Sequence, residues 1–323
     1  MKLSIIVPVF NVEEFLANCL KSLVTQDLPK SDYEIIVIND GSTDKSKEII
    51  LDYQKKYDNI VFIDQENQGV SVARNKGIDI AKGNYITFVD SDDLIYENAL
   101  QLILKRLESD DLDILYLNIE CYNEAGTKLD YDYKIGDDAI IADGFTHQRR
   151  TYTPTVYKKD VIGTIRFNSN IVIGEDTVFN GLVQSKAKRC SYSSIPYYKY
   201  LVRTNSATKK IRTQKAFNGF IAAIENVASY KKENVTPSNQ KQNDYFDAII
   251  IVFITRIIEF NILPNFNLQR FNKVKEVLNQ YQLLYLTNQI ATNFKFFNAN
   301  YMLFYCFHKM KSVKRILTKF IKK

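Results

Sequence analysis

The sequence is short of several things, and each shortage narrows what the chain is able to be. It has no tryptophan, only two histidines (His147 and His308), and four scattered cysteines, Cys19, Cys121, Cys190 and Cys306, with no Cys-x-x-Cys pair. The cysteines read as reduced structural thiols of a cytoplasmic protein rather than as metal ligands or disulfide partners. No run reaches the ~18 consecutive apolar residues that a membrane-spanning helix needs. The longest candidate, Ala248 to Leu263, is broken by Thr255, Arg256, Glu259 and Asn261. No charged leader or cleavage signal precedes the first apolar run, which predicts a chain that is not secreted. There is no internal repeat, no Gly-x-Gly-x-x-Gly after the first strand and no Walker loop, which argues against dinucleotide and P-loop chemistry.

Acidic residues are missing from one region in particular. None follows Glu276, whereas Lys295, Lys309, Lys311, Lys314, Arg315, Lys319, Lys322 and Lys323 do. Taking those eight from the 43 basic residues leaves 35 against 37 acidic ones, so the net charge of +6 belongs to the C-terminus. Between the basic residues, Met310, Val313, Ile316, Leu317, Phe320 and Ile321 recur at helical spacing. A basic amphipathic helix of this kind fits an anionic membrane surface. Docking of its apolar stripe on the core is the other reading. Nucleic-acid binding is disfavoured, because the aromatic residues cluster in apolar patches instead of alternating with the basic ones.

What is present begins with strand and helix patterns in alternation. Ser4–Phe10 is a continuous apolar run rich in β-branched residues, followed by Asn11 as a helix cap with Glu14 three residues on. Phe15, Leu16, Cys19, Leu20 and Leu23 then recur at helical spacing. The same reading gives strands over 35–38, 60–63, 85–89 and 114–119, and helices over 46–57, 70–81 and 97–107. Such alternation with short loops implies a mainly parallel α/β sheet, which binds ligands at the carboxyl ends of its strands. The loops after Phe10, Ile38 and Val89 all fall on that edge. Residues 120–210 are less regular, and helices are predicted over 217–230, 245–260 and 271–285, with 232–243 as a linker.

Asp-x-Asp occurs three times, as Asp90-Ser91-Asp92, Asp111-Leu112-Asp113 and Asp130-Tyr131-Asp132. Position separates the copies. Asp111 and Asp113 precede a strand, at the amino edge, and Asp130 and Asp132 lie in a polar hairpin-like stretch. Only Asp90 and Asp92 follow a buried strand, where carboxylates suit a hard divalent cation bridging nucleotide phosphates. The bland reading is an acidic helix N-terminus, which Asp93 and Asp92 would serve.

Taken in order, Ser4-Ile5-Ile6-Val7-Pro8-Val9-Phe10-Asn11, Ile38-Asn39-Asp40-Gly41-Ser42-Thr43-Asp44, Asn67-Gln68-Gly69, Ala73-Arg74-Asn75-Lys76-Gly77 and Phe88-Val89-Asp90-Ser91-Asp92-Asp93 form a set. This set closely resembles the nucleotide-sugar binding domain of the family 2 inverting glycosyltransferases. The resemblance spans residues 1–110 and, more loosely, 152–206, and the final third shows no family motif. It implies the A-type glycosyltransferase fold: a Rossmann-like, mixed but mainly parallel sheet flanked by helices, with a helical C-terminal extension. It also implies a catalytic domain over 1–215 (nucleotide-sugar binding in 1–110, acceptor and catalytic part in 111–215) and a helical region over 216–323.

Roles follow residue by residue from the resemblance. Pro8 and Phe10 would line the base, and Asp40 would hydrogen-bond the uracil edge or ribose, a role compatible with a turn position before Gly41. Arg74 would reach the base or phosphates, Asp90 the ribose or metal shell, and Asp92 the metal, Mn²⁺ or Mg²⁺, directly. Asn75 and Gly77 read mainly as packing residues. In Gly174-Glu175-Asp176, Asp176 matches the family's general base, with Glu175 orienting the acceptor or supporting Asp176. Arg203 and Ser206 would contact the diphosphate. Some relatives place a histidine metal ligand where this chain has Asn205, and His147 reads as a loop residue. Without tryptophan, sugar stacking would fall to residues such as Tyr152 or Tyr157.

The implied activity is hexosyl or hexosaminyl transfer from a UDP-sugar to a saccharide or lipid-linked acceptor. Its implied setting is bacterial surface-polysaccharide assembly at the inner face of the cell membrane. A nucleotidyltransferase would carry a basic, glycine-rich loop after the first strand, and Asn11-Val12-Glu13-Glu14 is not one. The other alternative is a non-catalytic, membrane-associated scaffold that retains the fold.

Overall fold

The computed structural model describes residues 1–130, 140–142, 154–203, 211–262, 264 and 267–289. Asp132, His147, Tyr152, Asn205, Ser206, Cys306 and the basic C-terminal stretch lie outside the described residues. The chain divides into two compact units, Met1–Ser169 with Phe179–Ser206, and Asn170–Val178 with Ala207–Lys323.

The first unit alternates strand and helix as its periodicity predicts: β1 (Leu3–Val9), α1 (Glu13–Val24), β2 (Tyr33–Asp40), α2 (Ser46–Gln54), β3 (Ile60–Gln65), α3 (Val70–Ile80) and β4 (Tyr85–Phe88). There follow β5 (Leu94–Ile95), α4 (Leu100–Ser109), β6 (Ile114–Asn123), β7 (Lys128–Leu129), β8 (Ile140–Ala142), β9 (Thr155–Lys158) and α5 (Lys159–Ile162). Helix α6 (Glu175–Gln184) and the long strand β10 (Arg189–Val202) complete it, the first turn of α6 belonging to the second unit. The strands form one mixed sheet in the order β3-β2-β1-β4-β9-β6-β10-β5.

Strands β1 to β4 pair in parallel. Strand β9 runs antiparallel to both β4 and β6, and β6 runs parallel to β10. Two reversals cancel, so β10 points the same way as β1 to β4 and ends on the same edge. That edge gathers the loops after β1, β2, β3 and β4 and Arg203.

Both faces of the parallel half are covered, which is why β1 is buried throughout and reads as an unbroken apolar run. Ile5 and Val7 join Leu16, Leu20 and Leu23 of α1 and Ile103 and Leu107 of α4 in one core. Each fully buried aliphatic side chain contributes about 1.5–3 kcal/mol of transfer free energy. Ile6, on the opposite face, meets α3 at Gly77, where an added Cβ would lie 2.5 Å from an Ile6 methyl. Gly77 is therefore the packing residue the sequence reading expected.

Two expectations about helix starts are corrected. Asn11 does not cap α1: the N-cap position is Val12, which makes no side-chain capping bond. Asn11 instead takes a positive φ of 48° and accepts from the Thr43 N–H at 2.8 Å. The donors at the start of α1 are satisfied across the edge, Val12 N–H by Ser46 Oγ and Glu13 N–H by Asp44 Oδ2. The second correction concerns 97–107, since α4 starts only at Leu100 and Asp93 leads into β5. Asp92 and Asp93 therefore sit at no helix N-terminus.

At the opposite, amino edge, buried Glu34 accepts from Ser4 Oγ and the Lys82 N–H, both at 2.7 Å. Asp113 there accepts from the Lys188 and Arg189 N–H groups, and Asp111 pairs with Lys158. The second Asp-x-Asp copy thus lies at the amino edge, as expected, and there it joins elements together.

In the second unit, α7 (Gln214–Asn234), α8 (Gln240–Ile257), α9 (Leu268–Gln280) and α10 (Leu286–Gln289) follow, with a π-helical turn over Ile258–Ile262. Thr213, Asn239 and Asn267 cap α7, α8 and α9 with their side chains. The expected linker over 232–243 shrinks to 235–239, because α7 and α8 each run further than the apolar spacing indicated. Buried Asp247 of α8 pairs with Lys231 of α7 and accepts from the Tyr285 hydroxyl just before α10. Among the described residues no helix is long and apolar enough to cross a membrane.

Gly77→Ala forces a methyl into Ile6 and is expected to lower unfolding free energy by about 1–3 kcal/mol. Urea denaturation of the variant beside wild type measures it.

Candidate active site

The strand β4 ends in three carboxylates within four residues, and the sheet edge decides what each one meets. Val89 N–H extends the pairing to Ile6 O, and Asp93 N–H closes a turn onto Asp90 O at 3.0 Å. Asp90 Oδ1 pairs with Arg74 of α3 at 2.9 Å. Asp92 Oδ2 pairs with Arg203, just past β10, at 2.6 Å. Asp93 is buried, and its Oδ1 accepts from the Leu201 N–H at 2.7 Å.

Negative charge accumulates here, and the neighbouring groups register it. Burial, then the charge of Asp90, raises the Asp92 carboxyl above its usual range, with Arg203 opposing. Burial, then Asp92 and Asp90, pushes Asp93 well above that range, against the Leu201 N–H and the Tyr198 hydroxyl. Burial and the same three carboxylates push the Tyr200 phenol up to about 12 and the Cys19 thiol well above its ordinary value. A site with this field favours cations, and its exposed donors are hard carboxylate oxygens. Among the described residues no group of three or more His, Cys, Asp or Glu side chains is arranged to hold a metal ion.

Arg74 is buried rather than a solvated helix charge. Its guanidinium lies 5.3 Å over the Phe167 ring. Asn75 fixes Phe167 with two backbone bonds, donating to its carbonyl at 2.9 Å and accepting from its N–H at 2.8 Å. Phe167 stacks on Phe179 at 4.0 Å, with Phe88 and Tyr157 edge-on to the pair. Asn75 is thus a packing residue in a specific sense, since it sets the ring on which Arg74 rests. Tyr157 is 5% exposed in this cluster, which overturns its expected place as a sugar-stacking platform.

The other residues expected on the nucleotide side lie towards the same edge. Pro8 is buried in β1 opposite Ile38, whereas Phe10, at the strand's end, is 50% exposed. Asp40, the last residue of β2, is buried, and its carboxylate ties β2 to the loop after β3 and not to the turn before Gly41. Its carboxylate accepts from Gln65 Nε2 and the Gln68 and Gly69 N–H groups at 2.7–2.9 Å. Arg203 also lies 5.4 Å over the Phe15 ring of α1. Sequence reasoning missed Phe15, Phe167 and Tyr198. The helical spacing of Phe15 was legible, but nothing local marked its ring as a seat for an arginine 188 positions later.

Glu175 and Asp176 open α6 in the second unit, and Asp176 Oδ1 accepts its neighbour's Thr177 N–H at 2.7 Å. The preceding Gly174 has φ +87°, and a Cβ there would lie 2.7 Å from the Phe253 ring of α8 and 3.3 Å from Arg256. Only glycine supplies that conformation and that space together. Gly174→Ala is expected to cost about 1–3 kcal/mol through strain and collision. Faster amide exchange at Val178, whose N–H donates to Gly174 O, would report it.

The family model of glycosyl transferase family 2 matches residues 4–173. The poly(ribitol-phosphate) beta-glucosyltransferase of Bacillus spizizenii is 33% identical over 271 residues, covering 82% of this chain and 41% of that protein. Glycosyltransferase GlyA of Streptococcus pneumoniae is 32% identical over 237 residues, covering 69% of this chain and 34% of that protein. The chain thus spans less than half the length of these two relatives. The crystal structure of S. aureus TarS 1-349 in complex with UDP-GlcNAc superposes with TM-score 0.74 at 21% identity, covering 94% of this chain and 89% of that one. That likeness carries the fold: the mixed sheet with its flanking and C-terminal helices is the TarS architecture. With more than half its length matched by the family model, the chain belongs to glycosyl transferase family 2.

Proposed function

We propose that the protein transfers a sugar, with inversion, from a UDP-sugar to a saccharide or lipid-linked acceptor in the assembly of a bacterial surface polymer. The observation that carries the reading is the sheet edge itself, where Asp90 and Asp92 stand beside Arg74 and Arg203. Two carboxylates suit a divalent cation, and two guanidiniums suit the oxygens of a diphosphate. Phe10 and Pro8 border the base, with Asp40 holding the loop beside it. The relatives' names and the UDP-GlcNAc complex of TarS support a UDP-sugar donor and a wall-polymer acceptor.

A cation, Mn²⁺ or Mg²⁺, held by Asp92 with Asp90 would neutralise charge on the leaving diphosphate, its remaining positions open to phosphate oxygens and water. Arg203 and Ser206 grip the diphosphate. Asp176 takes the proton of the acceptor hydroxyl while that oxygen bonds to the anomeric carbon. The bond from that carbon to the diphosphate oxygen breaks on the opposite face, and UDP leaves with the electron pair. Glu175 orients the acceptor. The domain reading, a catalytic part over 1–215 and a helical part over 216–323, belongs to this proposal. So does contact of the basic C-terminus with the inner face of the membrane, which the absence of acidic residues after Glu276 supports.

A panel of UDP-sugars is assayed for UDP release with Mn²⁺ or Mg²⁺ present and after chelation. Release with one donor, lost on chelation, is the expected result; no release and no thermal stabilisation by any donor would favour a non-catalytic scaffold. Asp176→Asn is expected to lower kcat by about 10²–10⁴-fold while UDP binding holds. Undiminished turnover would remove the base assignment. Asp92→Asn is expected to weaken Mn²⁺ binding, read by titration with UDP present.

A further inference from the structure

Asp93 has no part in the chemistry just described, yet it is among the most deeply buried carboxylates of the sheet unit, at 1% exposure. Tyr198 is buried completely, and its hydroxyl accepts the Asp90 N–H at 3.0 Å. Asp93 Oδ1 in turn accepts the Leu201 N–H, two residues before Arg203. The loop carrying Asp90 and Asp92 and the end of β10 carrying Arg203 are thus bonded in both directions, backbone to side chain each time.

The strand is shaped for this. The β10–β6 register shifts on either side of Pro196, and Tyr197 and Tyr198 beyond it are both buried. Proline is tolerated in a strand at such an irregularity. Beyond the shift, pairing resumes from Tyr198 to Val202 and delivers Arg203 to Asp92. These bonds join the loop of Asp90 and Asp92 to the strand that leads into Arg203.

We propose that Asp93 and Tyr198 are positioning residues that lock the Asp90–Asp92 loop to the end of β10, setting the spacing between the carboxylates and Arg203. The proposal rests on the transferase reading for its consequence in turnover, but the lock itself is a statement about two backbone amides. It differs from a purely structural role in what it moves: catalysis and cation affinity, with fold stability nearly unchanged.

Tyr198→Phe removes the hydroxyl and keeps the ring, Asp93→Asn keeps an acceptor for Leu201, and Asp93→Ala removes it. With the donor identified by the UDP-release panel, Tyr198→Phe and Asp93→Ala are expected to lower kcat or Mn²⁺ affinity by about 10–100-fold. KM for the donor and the melting temperature should shift little, and Asp93→Asn should recover much of the loss. Hydrogen exchange on the full chain should show faster exchange at Asp90 in Tyr198→Phe and at Leu201 in Asp93→Ala. Unchanged exchange at both amides overturns the proposal, as does a kcat loss that only follows a fall in melting temperature. If wild type releases UDP from no donor, the transferase reading fails, and the exchange measurement alone still decides whether the lock exists.

Discussion

Placing three carboxylates at Asp90, Asp92 and Asp93 on the end of one buried strand is electrostatically expensive, and much of the sheet unit is arranged around that fact. Charges withdrawn from water need partners close by, or they are driven to the neutral form. Asp90 receives Arg74, Asp92 receives Arg203, and Asp93 receives the Leu201 N–H. One partner comes from α3 and two from the end of β10, so the charge requirement ties both elements to the loop after β4. The upward shifts of Asp92, Asp93, Tyr200 and Cys19 come first from burial, and the neighbouring carboxylates add to each. An edge that gathers those carboxylates is suited to a divalent cation and the diphosphate it accompanies.

The supports of the arginines extend the dependence into the core. Arg74 keeps its position because Phe167 lies beneath it, and Phe167 is held by the two amide bonds of Asn75 and by its stack on Phe179. Arg203 keeps its position because β10 crosses its own irregularity at Pro196 and resumes pairing with β6. The first helices are secured by the same economy of means. Ser46 and Asp44 satisfy the donors opening α1, while Glu13 accepts the Lys45 N–H before α2. The loops after β1 and β2 are therefore one hydrogen-bonded piece, with Phe10 exposed at its margin.

Much of this was legible in the chain. The parallel half of the sheet appeared in its apolar runs because strands covered on both faces cannot alternate with polar residues. Two of the Asp-x-Asp copies could be separated by whether they precede or follow a strand, and the amino-edge copy bonds to Lys158, Lys188 and Arg189. The local inferences failed where a partner was distant. Asn11 has the residue type of a cap, yet its amide oxygen is taken by Thr43. Tyr157 has the residue type of a stacking platform, yet it packs in the core among Phe88, Phe167 and Phe179. Strand β10 escaped notice because its serines and proline break the apolar pattern, and its strand character comes from pairing with β6.

By itself the sequence determined the strand–helix order of the first unit, the edge on which a ligand would bind, and the pair Asp90 and Asp92 as the carboxylates on it. Those follow from periodicity and from the direction of the chain, which are local properties. Tertiary structure decided which cation faces which carboxylate, that Asp93 belongs to β10 rather than to a helix start, and that Gly174 is pressed against Phe253. In each case the deciding partner is distant in sequence. Hydrogen bonds and ion pairs are satisfied by whatever group the fold brings within about 3 Å, and β10 ends on the edge of β4 because the two reversals at β9 cancel.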